Sequence, residues 1–447
     1  RRVPNRGALS KLAGQHAALG VFDRDLFHRL AGETVLAAER LTLQELSNSA
    51  WTFATVSADE PNVFEAIAGG IVRRLSDPCL QRREGGRLAS LAMNIRQAVW
   101  ALSVVGRCHA RLVEAASSAL LRIGRALDSV ATSGGDALAP LGGASQRVPD
   151  VRDRAGGLQP QVVAELPDRL VVFKPTGWEV DSQLAACEEG MPLSHFVQSL
   201  MPARRWRISN DFEHRRGFLH RLDVPSSGLI LVAKTYQAYH DLQLQLSAGK
   251  LAREYVALCH GWMPPARLSI SARVFAPEGP QPAAICPHGR PSRSYLEVLA
   301  RARLGGEAFG LVLFRIQSGR THQIRAHASH VGHPTASDGR YSAAAASGSD
   351  RRWCPRNFLH RHRLGFADAS GRAREALARL PAELRGALNL LMPVDQRSAD
   401  SLGVWLDSGP RRCRGRPLGR PEEGGARRRG RPRAVQPECA LVVGRCA

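Results

Sequence analysis

The sequence has 447 residues, of which 44% are apolar, and its 62 basic against 40 acidic side chains give a formal net charge of +22. This length allows two or three domains with buried cores. No stretch approaches the ~20 consecutive apolar residues of a membrane-spanning helix, so we expect no membrane partner. The excess of basic side chains favours a polyanionic partner, and nucleic acid is the commonest soluble one. The nine cysteines form no CxxC pair, which favours reduced thiols over a disulfide framework or a zinc cage.

Residues 1–131 have the apolar spacing of helices and a weak internal repeat. Trp51 and Trp100 are each followed thirteen residues later by an apolar residue and Glu-Ala, at Phe64 and Val113. Helix-pair repeats have periods near ~35–47 residues, and LTLQELSNSAWTFATV resembles the helical-repeat arrays of octotricopeptide and FAST-kinase-like RNA-binding proteins. A plain helical bundle, in which both tryptophans fill the core, remains an equal alternative.

The rest of the chain divides into a linker, a mixed domain and a tail. Residues 132–161 are rich in Gly, Pro and Ala without periodicity and predict a linker. Residues 162–395 predict an α+β domain, whereas 396–447 predict a disordered basic tail that contains two RGRP tetrads. Strands are expected near 169–174, 217–223, 228–233, 252–259, 293–300, 309–316 and 357–366, and helices over 235–247, 321–331 and 382–392.

Two apolar segments flank the polar group His220-Arg221-Leu222-Asp223. Pro225 and Gly228 punctuate the turn that follows it. The ionisable side chains of Arg221 and Asp223 therefore lie at the end of a predicted interior strand. Charge at such a position costs free energy unless it is paired or serves in binding or catalysis.

Five ordered segments resemble the RluA-type RNA pseudouridine synthases. The stretch GFLHRLDVPSSGLILVAK, residues 217–234, is similar to the HRLDxxTSGLLLVAK signature of that family, with Ser226 where the family usually has Thr. The other segments are 168–177 (DRLVVFKPTG), 253–258 (REYVAL), 319–338 (beginning GRTHQIRAH) and 357–366 (NFLHRHRLGF). Five matches in the family's order are far more specific than one short motif.

The resemblance implies the pseudouridine synthase fold, a largely antiparallel mixed sheet with a catalytic cleft across its middle. It implies an isomerase that converts uridine to pseudouridine in structured RNA, with Asp223 as the catalytic carboxylate and Tyr255 as the pocket tyrosine. Asp223 could act as a nucleophile at C1′ or as a base at C2′. The reaction needs no electron or group carrier, and the sequence has no GxGxxG or GxxxxGK[ST] loop, so we expect no cofactor.

A carboxylate in a water-excluding cleft needs a fixed cation beside it, because desolvation raises its pKa. Arg325 follows Ile324 on the predicted helix over 321–331 and should emerge at the edge of the buried face. We therefore predict that Arg325 pairs with Asp223. The remaining predicted pocket or RNA-binding residues are His220, Arg221, Leu222, Ile324 and Arg320.

Other readings of these motifs have less support. His322, His327, His330 and His333 lie close in sequence, but they lack the spacing of a metal site. Ser226 and Ser227 lack the GxSxG elbow of a serine hydrolase, and a glycosidase would need a second carboxylate that cannot be identified.

The main alternative function is a helical-repeat RNA-binding regulator whose synthase domain is inactive. The expected partner is tRNA, rRNA or mRNA, and the expected state is a monomer. Because the sequence starts at Arg1, we expect its N-terminus to be incomplete, which leaves cytoplasm, mitochondrion and plastid open.

Overall fold

The computed structural model of the protein describes residues 23–56, 60–77, 88–133, 159–180, 191–264, 268–277, 279 and 281–407. The helices of these segments are α1 (Arg24–Ala37), α2 (Leu43–Val56), α3 (Pro61–Ser76), α4 (Leu88–Val104), α5 (Ala110–Ser133), α6 (Leu193–Leu200), α7 (Tyr236–Ser247), α8 (Gln323–His330), α9 (Ala344–Asp350), α10 (Ala382–Asn389) and α11 (Gln396–Leu406). No helix in this part of the chain is both long and apolar enough to cross a membrane.

Helices α1–α5 form an N-terminal helical region with local sequence signals at its helix starts. Thr42 and Glu45 form a reciprocal capping box before α2, in which each backbone N–H binds the other's side chain. Helix α1 packs on α3, α2 on α4 and α3 on α5. This pattern is typical of stacked helix pairs, although membership of a particular repeat family stays a prediction.

The second region is built on a ten-stranded sheet in the order β1-β2-β5-β12-β6-β11-β10-β14, with β13 beside β12 and β7 beside β10. Its pairings are antiparallel except for β5 with β12. The strands are β1 (Gln161–Glu165), β2 (Arg169–Lys174), β3 (Trp178–Glu179), β4 (Met191–Pro192), β5 (Ser227–Ala233), β6 (Ala252–His260), β7 (Leu268–Ser271), β8 (Val274–Phe275), β9 (Ala284–Ile285), β10 (Arg293–Leu304), β11 (Glu307–Ile316), β12 (Leu359–Ala367), β13 (Ala373–Leu377) and β14 (Met392–Pro393).

The centre of the sheet depends on a close approach between β5 and β12. Gly228 has φ +128°, and a Cβ there would lie 2.3 Å from the carbonyl oxygen of Arg361. Only glycine fits this position without moving one of the two strands. Strand β5 is buried along its whole length, which explains the apolar sequence LILVA that follows Ser227 and Gly228.

The helical region packs directly on the sheet domain through α5 and α7. The carboxylate of Asp128 accepts hydrogen bonds from the backbone N–H groups of Tyr236 (2.9 Å) and Gln237 (3.0 Å) at the start of α7. A Cβ on Gly124 would lie 2.4 Å from the Cα of Gln237. Leu244 of α7 is buried in the apolar core of the helical region. The two regions therefore share a helix start and part of a core.

One predicted strand, 217–223, is wrong. The chain forms a 3-10 turn at Arg215–Gly217, makes a single bridge between Phe218 and Val232, and then leaves the sheet. Strand β12 already pairs with β5 at Ser227 and Gly228. Because that edge is occupied, the following residues must bend away from the sheet, and this carries residues 220–224 into a cleft.

The start of the predicted disordered tail also needs correction. Residues Gln396–Leu406 form α11, and the residue that caps it is Asp395, whose side chain accepts the Ser398 N–H. The side chain of Leu402 is buried in a small apolar cluster with the end of the sheet domain. The RGRP tetrads lie outside the described residues.

Candidate active site

A cleft with a cavity volume of about 450 Å³ brings together all eight residues predicted from the sequence. This volume lies in the range of small-ligand sites. Asp223 comes from the loop before β5, Tyr255 from β6, and Arg325 from α8. The other five are His220, Arg221, Leu222, Arg320 and Ile324.

The side chain of Lys174 fixes the loop that carries Asp223. The Lys174 ammonium donates to the carbonyl oxygens of Pro175 (2.8 Å), Trp178 (2.8 Å) and Val224 (3.3 Å). Burial, with the nearby charge of Arg356, lowers the pKa of Lys174 to about 7, while Asp223 opposes this shift. Because Val224 follows Asp223 directly, these bonds fix the backbone on which the carboxylate is carried.

Arg325 contacts Asp223, but its closest partner is Asp338. The guanidinium donates to both carboxylate oxygens of Asp338, each at 2.7 Å, and its Nη1 lies 3.2 Å from Oδ2 of Asp223. This bidentate pair fixes the plane of the guanidinium. The Nη1 group of Arg325, which Asp338 does not bind, therefore faces Asp223 in a fixed direction.

Asp338 is fully buried and closely held. It accepts hydrogen bonds from Thr335 Oγ1, Asn357 Nδ2 and the backbone N–H of Arg340, each at 3.1 Å. Burial alone would raise its pKa, but the hydrogen bond and charge of Arg325 lower it. For Arg325, burial opposes the charged form, yet Asp338 and Asp223 raise its pKa. Both groups of the buried pair are thus charged.

His322 lies on the other side of Asp223. It has φ +51° at the start of α8, and its Nε2 lies 3.9 Å from Oδ2 of Asp223. Its Nδ1 lies within hydrogen-bonding distance of the Tyr341 hydroxyl, at 3.0 Å. Burial lowers the pKa of His322, while the charge of Asp223 opposes that shift.

Tyr255 is buried beneath the guanidinium of Arg361, whose carbon lies 4.8 Å from the ring centroid. Arg361 donates a hydrogen bond to the Tyr255 hydroxyl oxygen, to Nδ1 of His220 (2.7 Å) and to the carbonyl oxygen of Leu229 (2.9 Å). Burial and the charge of Arg361 lower the pKa of His220, which keeps that imidazole neutral and able to accept. The phenol's own hydrogen remains available for donation into the cleft.

Apolar and polar walls complete the cavity. Leu222 and Ile324 are 6% and 4% exposed and form an apolar surface beside Asp223. The Ser226 hydroxyl is buried and has no hydrogen-bond partner among the described residues. Arg221 is exposed and Arg320 is half-buried at the rim. A buried unpaired hydroxyl is costly, which makes Ser226 available to a bound ligand.

Four contributors to this site were not singled out from the sequence. Lys174 and Asp338 fall within the quoted motifs; Lys174 follows the apolar run 170–173, and a charge at the end of such a run is a signal that could have identified it. Arg361 and Arg363 lie two residues apart in HRHRL, so strand alternation predicts the same face for both and does not single out Arg361. The sequence pattern assigns Trp100, a lining residue from α4, only to a repeat or a core.

The neighbouring histidines have local hydrogen-bond partners. Both ring nitrogens of His327 are within bonding distance of Ser294 Oγ (3.0 Å) and the Ala272 carbonyl oxygen (3.2 Å). His333 Nδ1 lies 2.8 Å from the carbonyl oxygen of His260. His260 also lies near Glu307 and Asp350, but its Nε2 already pairs with Asp350 at 2.8 Å.

The fold and the cleft define a carboxylate-centred site in a mixed, mostly antiparallel sheet. A sequence model of the family described as "RNA pseudouridylate synthase" matches residues 169–330, which contain Asp223, Tyr255 and Arg325. Over this segment the chain resembles the RNA pseudouridylate synthases, as the five motifs indicated, and the region built on the ten-stranded sheet is called the synthase domain below.

Other proteins are similar to parts of this chain. An "uncharacterized RNA pseudouridine synthase" of Chloroflexus aurantiacus is 34% identical over 45% of this chain and 61% of its own length. A "ribosomal large subunit pseudouridine synthase D" of Nitrosomonas europaea is 36% identical over 34% of this chain and 43% of its own. The solved structure of "human RNA pseudouridylate synthase domain containing 1" is 24% identical with a TM-score of 0.43, covering 56% of this chain and 96% of that one. The chain thus spans 61% of the Chloroflexus relative's length.

Proposed function

We propose that this protein is an RNA pseudouridine synthase that isomerises uridine in structured RNA, with Asp223 as its catalytic carboxylate. The observation that carries the proposal is the position of Asp223, which lies in the cavity 3.2 Å from an arginine that a second carboxylate holds in place. A guanidinium fixed in this way stabilises the ionised carboxylate where water is excluded. The family of residues 169–330 supports the same reaction.

The chemistry requires the N1–C1′ bond to break, the uracil to turn, and C5 to join C1′. Asp223 would act at the sugar, either by attacking C1′ or by removing the C2′ proton. Once C5 has bonded to C1′, the C5 proton must leave and N1 must gain a proton. Tyr255 supports the base from within the pocket, and its hydroxyl, oriented by Arg361, is the candidate group for proton handling near C5.

The substrate must place a single uridine in this cavity. A uridine within a stack has to be flipped out, which costs a few kcal/mol. Leu222 and Ile324 would face the displaced base, while Arg221 and Arg320 at the rim would bind phosphates. The rival function, an RNA-binding regulator with an inactive synthase domain, gains no support from a site in which Asp223, Tyr255 and Arg325 share one cleft.

The test is to produce the full chain in a bacterial host and to map pseudouridines chemically in its total RNA. We expect new pseudouridines with the unaltered protein and none with Asp223→Asn, which keeps the side-chain shape but removes the charge. Asp400→Asn, an exposed carboxylate on α11, is the matched control and should behave as the unaltered protein. Conversion by Asp223→Asn at the unaltered rate would remove Asp223 from the mechanism.

A further inference from the structure

The catalytic cavity includes one side chain from outside the synthase domain. Trp100 of α4 lines the cavity and is half-buried, with part of its ring packed on the core of the helical region. The model of the synthase family matches only residues 169–330. The wall formed by Trp100 is therefore a feature of this chain's N-terminal helices.

The C-terminal end of α4 is brought to the cavity by two loops of the synthase domain. Gly249, with φ +66°, ends α7, and a Cβ built there would lie 3.6 Å from Ser103 Oγ and 3.7 Å from Gln317 Cγ. Gln317 begins the segment that leads through Arg320 to α8. Helix α4 thus lies against the loop that carries Arg320.

Trp100 and Arg320 form a cation–π pair at the rim. The guanidinium carbon of Arg320 lies 4.9 Å from the centroid of the Trp100 ring, within the range of this interaction. The other contacts of the Arg320 guanidinium are weak, because its Nη2 lies 3.4 Å from the Pro291 carbonyl oxygen and its buried Nε has no partner among the described residues. The indole ring is thus the main surface that orients this guanidinium.

The charge around Arg320 is unbalanced. Arg215, Arg221 and Arg253 also line the cavity, and none of these four arginines forms an ion pair within the described part of the chain. Burial, with the charges of Arg290 and Arg253, lowers the pKa of Arg320 to about 10. Asp223, the carboxylate of this lining, is already beside Arg325. Of these four, Arg253 is buried and Arg320 is half-buried; a cation withdrawn from water without a partner is costly, and a bound anion would remove that cost.

We propose that Trp100 is a positioning residue, which holds the guanidinium of Arg320 over its ring at the rim so that Arg320 binds the phosphate next to the target uridine. This inference rests on the proposed function for the identity of the anion, an RNA phosphate. A guanidinium already restricted by an aromatic ring loses less side-chain entropy when it pairs with a phosphate. The N-terminal helices therefore complete the substrate site as well as supporting the fold.

The test is a double-mutant cycle on RNA binding by the full chain. The probe is a fluorescein-labelled oligouridylate of about 12 nucleotides, and the dissociation constant is measured by fluorescence anisotropy across a salt series. We expect Arg320→Gln to weaken binding about tenfold and to make the plot of log K against log salt shallower by about 0.7, the loss of one phosphate contact on a single strand.

The variant Trp100→Leu should weaken binding about fivefold in the unaltered chain but less than about twofold in the Arg320→Gln background, because contacting residues couple. Arg320→Lys keeps the charge but lacks the planar guanidinium that packs on the ring, and should match Trp100→Leu. Trp100→Phe should restore most of the affinity.

On an RNA identified by pseudouridine mapping, Trp100→Leu should raise KM and leave kcat within about twofold, because the substitution weakens RNA binding and leaves the catalytic groups in place.

Trp51→Leu is the matched control, because Trp51 is also half-buried in the helical region but does not line the cavity. Circular dichroism would verify that each variant is folded. Unchanged binding by Trp100→Leu, equal weakening by Trp51→Leu, or additive effects in the cycle would each overturn the proposal. Absence of pseudouridine formation by the unaltered chain would refute the proposed function, while the binding cycle would still decide whether Trp100 acts through Arg320.

Discussion

The helical region and the synthase domain bury very different side chains. In α1–α5 the buried polar residues are neutral hydroxyls, namely Ser47, Ser49, Thr52 and Thr55, around an apolar core. The synthase domain buries charged side chains, including Arg169, Lys174, Glu254, Arg325, Asp338 and Arg361. Burying a charged side chain costs free energy unless the charge is paired. The concentration of buried charged side chains in one region therefore indicates where the reactive groups lie.

The same contrast assigns different tasks to the two regions. The apolar packing of Phe27, Phe53 and Phe64, with ring centroids 6.0 and 6.4 Å apart in successive pairs, stabilises the helical region without any catalytic group. It meets the synthase domain through Asp128, Gly124 and Trp100. The following predictions test whether the catalytic groups lie in the charged core of the synthase domain and whether residues at its boundary with the helical region position the substrate-binding groups.

The largest effect is expected from Asp338→Asn. The substitution keeps the size of the side chain but removes the charge that fixes the Arg325 guanidinium, so Arg325 would no longer face Asp223 in one direction. We expect kcat to fall about 100-fold, equivalent to ~2.7 kcal/mol in activation free energy. Single-turnover measurement of uridine conversion on a mapped RNA would test this.

Asp350→Asn serves as the matched control for this prediction. Asp350 is also buried and accepts from the backbone N–H of Ser337 at 2.7 Å, but it pairs with His260 outside the cavity. Its loss should lower stability while leaving kcat of the folded fraction close to that of the unaltered protein. If both variants lost kcat equally, the effect of Asp338 would be structural.

A smaller effect is expected from Gly124→Leu at the boundary. Its side chain would collide with the backbone of Gln237, so α5 could not lie as close to α7. We expect the free energy of unfolding to fall by about 1–3 kcal/mol, as for other overpacked sites, and oligouridylate binding to weaken because Trp100 moves with the helices.

The matched control is Gly32→Leu. Gly32 also lies within a helix, α1, but a Cβ there has no neighbour within 4 Å. Thermal unfolding followed by circular dichroism and anisotropy of the labelled oligouridylate would measure both effects. A boundary that tolerates Gly124→Leu as well as Gly32→Leu would mean that the two regions are only loosely associated.

Much of this fold follows from local sequence signals. The predicted strand 252–259 is observed as Ala252–His260, and the helix predicted over 235–247 is observed as Tyr236–Ser247, whose Thr235 cap accepts the Ala238 N–H. The predicted helix over 321–331 is shorter, Gln323–His330, because His322 adopts a left-handed conformation. Signals within a few residues of one another sufficed for these elements.

The site was less predictable because its contacts join distant parts of the chain. The motifs indicated which residues belong to the cleft, including Asp223, Tyr255 and Arg325. They did not indicate that Asp338 would be the closer partner of Arg325, or that Arg361 would contact Tyr255 from a strand more than a hundred residues away. Such pairings depend on strand order, and Trp100 enters the cavity only because α4 packs beside α7.

The smallest effect concerns His240, a titratable group close to the boundary between the two regions. Its ring is buried on α7 beside Tyr239 and His214, and its nitrogens have no hydrogen-bond partner among the described residues. Burial, with the charges of Arg96 and His214, lowers its pKa to about 3. Arg96 belongs to α4, so protonation of His240 would also place like charges across this boundary.

The sign of the pH effect follows from proton binding. Between pH ~6.5, the usual pKa of histidine, and about 3, the unfolded chain binds a proton at His240 that the folded chain does not. Stability is therefore lost as pH falls through 6.5, by about 1.4 kcal/mol per pH unit for this group. His240→Leu should reduce the loss of unfolding free energy between pH 7.5 and 5.5 by about that amount, measured by urea unfolding at each pH.

Substituting Leu for the exposed His288 should leave the pH dependence as it is. If His240→Leu instead showed the full pH dependence, the acid sensitivity would have to reside in the other buried histidines, within the charged core and not at its boundary with the helices.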